Sequence, residues 1–316
     1  MSGPALVYHA GGLGDFVLSL PAIIRAVQHF GAEGWHLWGP PERLALLPGF
    51  APAPTELTRS GHTLWGDEPA PQALHFLREC RAVVAFGGRR PPAWAGLAGD
   101  AALAVASFPP AGGPWVPRHH AQQLDGLGVP RPRAPWLPAW RRHVLPDPSP
   151  SEIVLHPGSG DPKKNLPAST WVETLRVLRR ELDLPVRLVL GPAEQERGGW
   201  GELAGVSDAV SVCTTIGELL GVLGRSALFL GNDSGASHLA AILGIPTVAV
   251  FGPSAPALWR PLGPRVRAVT AGAACSPCTD GGPIACPGPR CTAEVRVADL
   301  VEAAKGVLRA GPAAVR

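Results

Sequence analysis

The chain has 316 residues, of which 46% are hydrophobic, and its formal net charge is only +3. This length is enough for about two domains with their own apolar cores, and so small a net charge gives no reason to expect a nucleic-acid partner. No apolar run reaches the roughly 18 residues of a transmembrane helix. The first residues lead into a strand-like run rather than a signal peptide, so we expect a cytoplasmic protein.

The N-terminal half alternates apolar runs with amphipathic segments, which favours an α/β fold. Pro21 lies inside the first predicted helix and is expected to kink it or delay its start. The predicted strands are 5–10, 35–38, 82–87 and 102–108, and the predicted helices are 15–29, 70–79 and 116–127.

A glycine-rich turn, Gly11-Gly12-Leu13-Gly14-Asp15, follows the first predicted strand. Gly12 and Gly14 let the backbone turn sharply and approach a ligand. The turn lacks the third glycine of the G-x-G-x-x-G dinucleotide fingerprint. A carboxylate at this place suits a general base, so Asp15 is the predicted catalytic residue. The alternative is an aspartate that only caps the helix.

A proline- and arginine-rich segment, residues 129–150, shows no sustained periodicity and is predicted to be a connector. It separates a predicted N-terminal domain, residues 1–140, from a predicted C-terminal domain, residues 151–316. Two α/β domains joined in this way place a cleft between two sheet edges.

The C-terminal half alternates more cleanly. Continuous apolar strands separated by helices indicate a parallel sheet covered on both faces. The predicted strands are 152–156, 186–191, 209–213, 227–231, 247–251 and 265–270, and the predicted helices include 168–182, 216–223 and 297–309.

A second motif, His156-Pro157-Gly158-Ser159-Gly160, precedes Lys163 and Lys164. Small residues offer N–H groups and the Ser159 hydroxyl to phosphate oxygens, and lysine adds a point charge. The chain has only three lysines, Lys163, Lys164 and Lys305. We therefore predict that the adjacent pair binds a phosphorylated ligand, and the alternative is a solvated loop.

Glu194 follows the next predicted strand, where a carboxylate can accept hydrogen bonds from ribose hydroxyls. The alternative is a first-turn glutamate that complements a helix dipole.

The most informative segment is Gly231-Asn232-Asp233-Ser234-Gly235, which joins an apolar strand to an alanine-rich helix. Helix starts at the carboxyl ends of parallel strands bind anions. We predict that Ser234 and Gly235 contact phosphate, and that Asp233 binds sugar hydroxyls or pairs with Lys164. His238 lies one helical turn on and is assigned to the site, with a core histidine as the alternative.

Four cysteines cluster near the C-terminus, at positions 275, 278, 286 and 291. Cys275, Cys278, Cys286 and Cys291 fit a small structural zinc site as well as reduced thiols or facultative disulfides. No D-x-D pair is present, so a carboxylate-held magnesium ion is not indicated. No cofactor is therefore expected.

These segments together resemble glycosyltransferase family 9, the ADP-heptose:lipopolysaccharide heptosyltransferases. The resemblance covers residues 11–21, 155–171, 189–194 and 229–263. It implies a GT-B fold, in which two Rossmann-like domains with parallel sheets face a central cleft. The N-terminal domain would hold the acceptor and the C-terminal domain the nucleotide-sugar.

The same resemblance implies an inverting, metal-independent transfer with Asp15 as the base. It places donor binding on Lys164 and on the set Asp233, Ser234, Gly235 and His238. ADP-heptose is the implied donor, and a lipopolysaccharide-core or lipid-linked saccharide the implied acceptor, with at most peripheral contact at the inner face of the cell membrane. The alternatives are a sugar-nucleotide 2-epimerase of the same fold and a nucleotide-sugar-binding homologue without catalysis.

Overall fold

The computed structural model describes residues 3–65, 68–87, 102–132, 135–278, 284, 286 and 288–310. The chain divides into two compact units, Met1–Val144 and Leu145–Arg316. Residues 133 and 134 of the predicted connector lie outside the described residues. None of the helices in the described ranges is both long and apolar enough to cross a membrane.

The first unit contains a parallel sheet with the strand order β3-β2-β1-β4-β5. Its strands are β1 (Ala5–His9), β2 (Trp35–Trp38), β3 (Ala51–Pro52), β4 (Ala82–Phe86) and β5 (Ala102–Val105). Its described helices are α1 (Leu13–Phe30), α2 (Thr55–Ser60), α3 (Pro71–Glu79), α4 (Val116–Gly126) and α5 (Leu137–Val144). This order matches the first five strands of the Rossmann order 3-2-1-4-5-6.

Two features of this unit differ from the sequence prediction. Helix α1 runs from Leu13 to Phe30 with Pro21 inside it, so the proline does not delay the start of the helix, and the kink stays a prediction. Burial of Phe16, Leu20 and Ile23 on its core face outweighs the loss of one backbone hydrogen bond at proline. The predicted connector contains helix α5, which is anchored where the indole of Trp140 donates to the carbonyl of Leu46 over 2.9 Å.

The second unit contains a six-stranded parallel sheet with the order β11-β10-β9-β6-β7-β8. Its strands are β6 (Glu152–His156), β7 (Val186–Leu190), β8 (Ala209–Val212), β9 (Ser226–Asn232), β10 (Thr247–Val250) and β11 (Val266–Val269). Its described helices are α6 (Ala168–Leu182), α7 (Pro192–Arg197), α8 (Gly201–Val206), α9 (Ile216–Leu223), α10 (Gly235–Ile242), α11 (Pro256–Trp259), α12 (Arg290–Ala293) and α13 (Val297–Arg309).

Apolar side chains fill both faces of this sheet. Strands β6, β9 and β10 bury Leu155, Leu230 and Val248 completely, and α6 packs Trp171 into the same core. Helix α10 ends at Ile242, and Gly244, just after the C-cap Leu243, has a φ of 90°, which favours glycine. The prediction of two Rossmann-like units with parallel sheets is confirmed.

Candidate functional site

The point where the chain reverses its direction across the second sheet lies between β6 and β9. These strands are adjacent and parallel, and the chain builds the sheet outward from them in opposite directions. The loops that follow both strands therefore leave a crevice at the carboxyl edge, where open α/β sheets bind ligands. Residues 157–167 follow β6, and residues 233–234 follow β9.

A cluster of three charged or ionisable groups joins these two loops. The ammonium of Lys164 lies 2.9 Å from one carboxylate oxygen of Asp233, and Nε2 of His238 lies 3.5 Å from the other. Burial would raise the pKa of Asp233, but the hydrogen bond from His238 and the charge of Lys164 lower it to about 2. Asp233 is therefore a buried carboxylate that stays ionised between two positive or polar partners.

The start of helix α10 lies next to this cluster. Ser234 caps the helix, because its hydroxyl accepts a hydrogen bond from the N–H of Ser237 at 3.4 Å. Gly235 is the first helical residue, so the first turn presents N–H groups without a bulky side chain in front of them. Such a helix start attracts anions through its unpaired N–H groups and its dipole.

Two of the predicted donor ligands in the loop after β6 are bound by other groups of the protein. The Ser159 hydroxyl lies 2.7 Å from the carbonyl of Asp161 and 2.6 Å from the side-chain oxygen of Asn165. The ammonium of Lys163 donates to the carbonyl of Ile284 over 2.6 Å. The structure thus brings Lys164 together with Asp233 and His238, and gives the ammonium of Lys163 a different partner.

Sequence reasoning missed Asn232, which holds the two loops together. Its side chain is fully buried, accepts from the N–H of Leu166 at 3.0 Å and donates to the carbonyl of Pro157 at 2.6 Å. Asn232 therefore fixes both ends of the loop after β6 against the end of β9. The signal available in the sequence was an amide at the last position of a strand, directly before Asp233.

Glu194 is buried and engaged by its own surroundings. Its carboxylate accepts from the N–H of Gly191 at 2.9 Å and lies 3.6 Å from Nε2 of His156. Burial would raise its pKa, but His156 and the Gly191 N–H lower it. The Nδ1 atom of His156 is buried without a hydrogen-bond partner. Capping of helix α7 is thus the observed use of Glu194, and ribose binding by Glu194 stays a prediction.

In the first unit, Asp15 lies in the first turn of helix α1, after the glycine-rich turn. Its Oδ2 atom accepts the N–H of Gly12 at 3.0 Å, so the side chain caps the helix that carries it. Gly12 is the N-cap residue, and Gly14 lies in the first turn. The carboxylate is half-buried. A carboxylate that caps a helix can also accept a proton, so the cap does not exclude a catalytic role. The role of Asp15 as a base stays a prediction.

A buried polar network under this turn was also missed. His9, at the end of β1, and Arg43, from the turn after β2, are both buried. Burial, with the charges of Arg43 and His120, lowers the pKa of His9 to about 3, so its imidazole is neutral. Nothing in the sequence distinguishes Arg43 from an ordinary surface arginine.

The four C-terminal cysteines are free thiols, with Cys291 buried and Cys275 exposed. Within the described ranges, no three histidine, cysteine or acidic side chains are arranged to hold a metal ion. Burial and the nearby sulfurs of Cys278, Cys275 and Cys286 raise the pKa of the Cys291 thiol. The zinc alternative for this cluster stays a prediction.

Comparison with known proteins finds a match to one family model. Residues 139–284 match the family model described as glycosyltransferase family 9 (heptosyltransferase), which confirms the resemblance seen in the sequence. No curated protein sequence matches the chain significantly.

Several solved structures share the fold. The ADP-heptose lipopolysaccharide heptosyltransferase II of E. coli has a TM-score of 0.64 and 17% identity, over 96% of this chain and 98% of that one. The E. coli heptosyltransferase WaaC with ADP has a TM-score of 0.56 and 21% identity, over 84% and 93%. The iron-containing dodecameric glycosyltransferase TibC from enterotoxigenic E. coli has a TM-score of 0.59 and 17% identity, over 98% and 79%.

Proposed function

Residues 139–284 match the model of glycosyltransferase family 9, and from that premise we propose an inverting, metal-independent sugar transfer. The sugar is a heptose carried by ADP-heptose, and the acceptor is a hydroxyl of a lipopolysaccharide-core or related saccharide. The observation that carries the proposal is the Lys164–Asp233–His238 cluster beside the start of helix α10.

The donor diphosphate is proposed to bind at the crevice between β6 and β9. The side chain of Lys164 is 28% exposed, so its ammonium offers a positive charge to a ligand, and the N–H groups after Ser234 supply hydrogen bonds. Both groups are in place before the sugar leaves, so they stabilise the charge that develops on the diphosphate. Asp233 would repel phosphate oxygens and therefore acts by holding Lys164 and His238 in position.

The transfer is a direct displacement at the anomeric carbon. An acceptor hydroxyl oxygen forms the new glycosidic bond, its proton passes to Asp15, and the bond from the anomeric carbon to the diphosphate oxygen breaks. The configuration at the anomeric carbon inverts because attack and departure occur on opposite faces. Asp15 contributes as a general base, an effect of about 10²–10⁴ in rate.

Metal independence is proposed because the site has its own cationic groups. The sequence has no D-x-D pair to hold a divalent ion between phosphates, and Lys164 with the helix start can neutralise the leaving group. Since TibC is iron-containing, the proposal needs a direct test. Transfer after exhaustive treatment with EDTA should equal that of untreated enzyme, and loss of transfer that is restored by a metal ion would contradict this part.

The donor and acceptor are proposed from the relatives. WaaC was solved with ADP and with an ADP-heptose analogue, and TibC with ADP-D-beta-D-heptose. A lipid-linked acceptor would place the reaction at the inner face of the cell membrane, with the protein in peripheral contact.

Thermal-shift measurements with ADP, UDP and GDP test the donor site directly. A ligand at one hundred times its dissociation constant stabilises the folded state by about 2.7 kcal/mol, which raises the melting temperature by several degrees. ADP should give the largest shift. Equal shifts for all three nucleotides would contradict the choice of donor.

Turnover of ADP-heptose tests the chemistry. With a core oligosaccharide acceptor, Asp15→Asn should lower turnover by about 10²–10⁴ while ADP binding stays unchanged. Wild-type turnover by this variant would remove Asp15 as the base. Conversion of the donor in the absence of acceptor would instead favour a 2-epimerase.

A further inference from the structure

Arg43 is a buried cation placed directly under the glycine-rich turn that leads to Asp15. It lies in the short 3₁₀ turn Pro41–Leu46, after β2, and only 5% of the residue is exposed. One guanidinium nitrogen, Nη1, donates to the carbonyl of His9 at 3.2 Å, and Nη2 donates to the carbonyl of Gly11. Arg43 thus holds the backbone where β1 ends and the turn begins.

The packing around Arg43 allows little movement. Its guanidinium carbon lies 5.1 Å from the centre of the Phe16 ring, which is cation–π distance. Gly39, at the start of the same loop, approaches the carbonyl of His9 so closely that a Cβ atom would collide with it. The loop after β2 is therefore built to close over the end of β1.

The hydrogen-bond donors in this network can be assigned from chemistry alone. Arginine only donates, so Nδ1 of His9, 3.2 Å from Arg43 Nη1, is an acceptor. The proton of the neutral ring then sits on Nε2, which donates to the Ser19 hydroxyl at 3.2 Å. Ser19 in turn donates to the carbonyl of Asp15 at 2.9 Å.

These contacts hold the segment 11–15 from both ends. Arg43 binds the carbonyl of Gly11 directly and reaches the carbonyl of Asp15 through His9 and Ser19. The carboxylate of Asp15 closes the segment by accepting from Gly12. A change at Arg43 should therefore be felt at the Asp15 carboxylate.

The charge of Arg43 also needs compensation inside the fold. Burial lowers the pKa of its guanidinium, and the carboxylates of Glu42 and Asp15 oppose this effect. Glu42 is exposed, so solvent screens its charge. Asp15 is half-buried, and the electrostatic attraction is mutual, so the cation favours the ionised form of Asp15 that can accept a proton.

We propose that Arg43 is a positioning residue for Asp15: it fixes the glycine-rich turn and so holds the carboxylate in place for proton removal. The inference rests on the proposed role of Asp15 as the base. It assigns to the loop after β2 a part in the reaction that its sequence does not reveal.

Three variants test this role. Arg43→Met removes the charge and the hydrogen bonds at similar length, whereas Arg43→Lys keeps the charge but loses the planar fork. Arg81→Met is the matched control. Arg81 also donates to backbone carbonyls in this unit, those of Gly3, Phe30, Gly31 and Glu33, but between β1, β4 and α1 at the opposite end of the strands.

The first measurement is independent of activity. Hydrogen exchange of a peptide spanning residues 10–16 should accelerate by about tenfold or more in Arg43→Met, because the turn loses its anchor. Arg81→Met should leave this peptide unchanged and accelerate peptides at the starts of β1 and β4. If the peptide 10–16 exchanges at the wild-type rate in folded Arg43→Met, the inference is wrong.

The second measurement uses ADP-heptose with the same core oligosaccharide acceptor. Arg43→Met should lower kcat by about 10- to 100-fold, the effect of a catalytic group misplaced by about 1 Å, with little change in the donor KM. The acidic limb of its pH–kcat profile should move to higher pH, and Arg43→Lys should restore the limb but only part of kcat. Arg81→Met should lower only the melting temperature.

The outcomes separate the two proposals. An Arg43→Met variant with wild-type kcat, beside an inactive Asp15→Asn variant, would overturn the positioning role of Arg43 but not the role of Asp15 as the base. An active Asp15→Asn would instead overturn the base itself. If Arg43→Met does not fold, Arg43→Lys decides: partial kcat with faster exchange of the peptide 10–16 would support the positioning role, and wild-type kcat and exchange would overturn it.

Discussion

Because two imidazoles in the first unit are buried, we predict that acid lowers the stability of this unit. His9 and His120 are each 1% exposed, and both rings contact the ring of Phe86 at a centroid distance of 5.4 Å. Burial, together with Arg43 and His120, lowers the pKa of His9 to about 3. Burial also lowers the pKa of His120 to about 4.

The sign follows from the difference between the folded and unfolded states. An unfolded histidine has a pKa of about 6.5, so below this pH the unfolded chain binds protons that the folded chain excludes. The free energy of unfolding is therefore highest above pH 6.5 and falls as the pH drops towards the folded-state values. Between pH 7 and pH 5 each histidine removes about 2 kcal/mol, and the pair removes about 4 kcal/mol.

A substitution separates one histidine from the other. Nε2 of His120 lies 3.0 Å from the carbonyl of Ser107, and the amide of glutamine can donate to the same oxygen without titrating. His120→Gln should therefore lose only about 2 kcal/mol between pH 7 and pH 5. His143→Gln, at an exposed position of helix α5, should lose as much as the wild type and serves as the control.

Urea unfolding at the two pH values measures these differences. Circular dichroism and tryptophan fluorescence should be recorded together, because the two units can unfold in separate transitions. A wild-type loss below about 1 kcal/mol, or equal losses for the wild type and His120→Gln, would refute the argument from burial.

Two further predictions concern the second unit. Lys164→Met should weaken ADP binding by about tenfold or more in calorimetry, because a charge-assisted hydrogen bond is lost. Lys163→Met should change ADP binding little, and equal effects would contradict the proposed diphosphate site between β6 and β9. Gly158→Ala should lower the melting temperature by several degrees, because its Cβ would collide with the buried Glu194 carboxylate. Gly160→Ala faces open space and is the control; matching melts for the two alanine variants would exclude the collision.

Much of the second unit could be predicted from its sequence because its signals are local. Residues 152–156 and 247–251 are continuous apolar runs bounded by glycine, proline or polar turns, a pattern typical of buried parallel strands. The helix 168–182 was predicted at its observed bounds from apolar residues at one-face spacing. The meeting of Lys164 with Asp233 follows from the same pattern, because the carboxyl ends of neighbouring parallel strands share one edge.

The remaining features depend on contacts between residues far apart in the chain. Arg43 and His9 are 34 positions apart, and Asn232 bonds partners 66 and 75 positions away. The sequence does not distinguish a buried arginine from an exposed one, because burial depends on which loops pack over the side chain. For Glu194, the sequence allowed both a ligand and a helix cap, and only the packing of Gly158 against its carboxylate shows how tightly it is enclosed.

Because lysine is rare in this chain, the loop after β6 can be labelled selectively through its lysine amines. Acylating reagents that attack primary amines have only three side-chain targets in this chain, and two of them are adjacent in the loop after β6. Lys305, on helix α13 and paired with Glu181, provides an internal reference for reagent dose. Mass spectrometry of the labelled protein can therefore report occupancy of the crevice residue by residue, without a radioactive sugar or an identified acceptor.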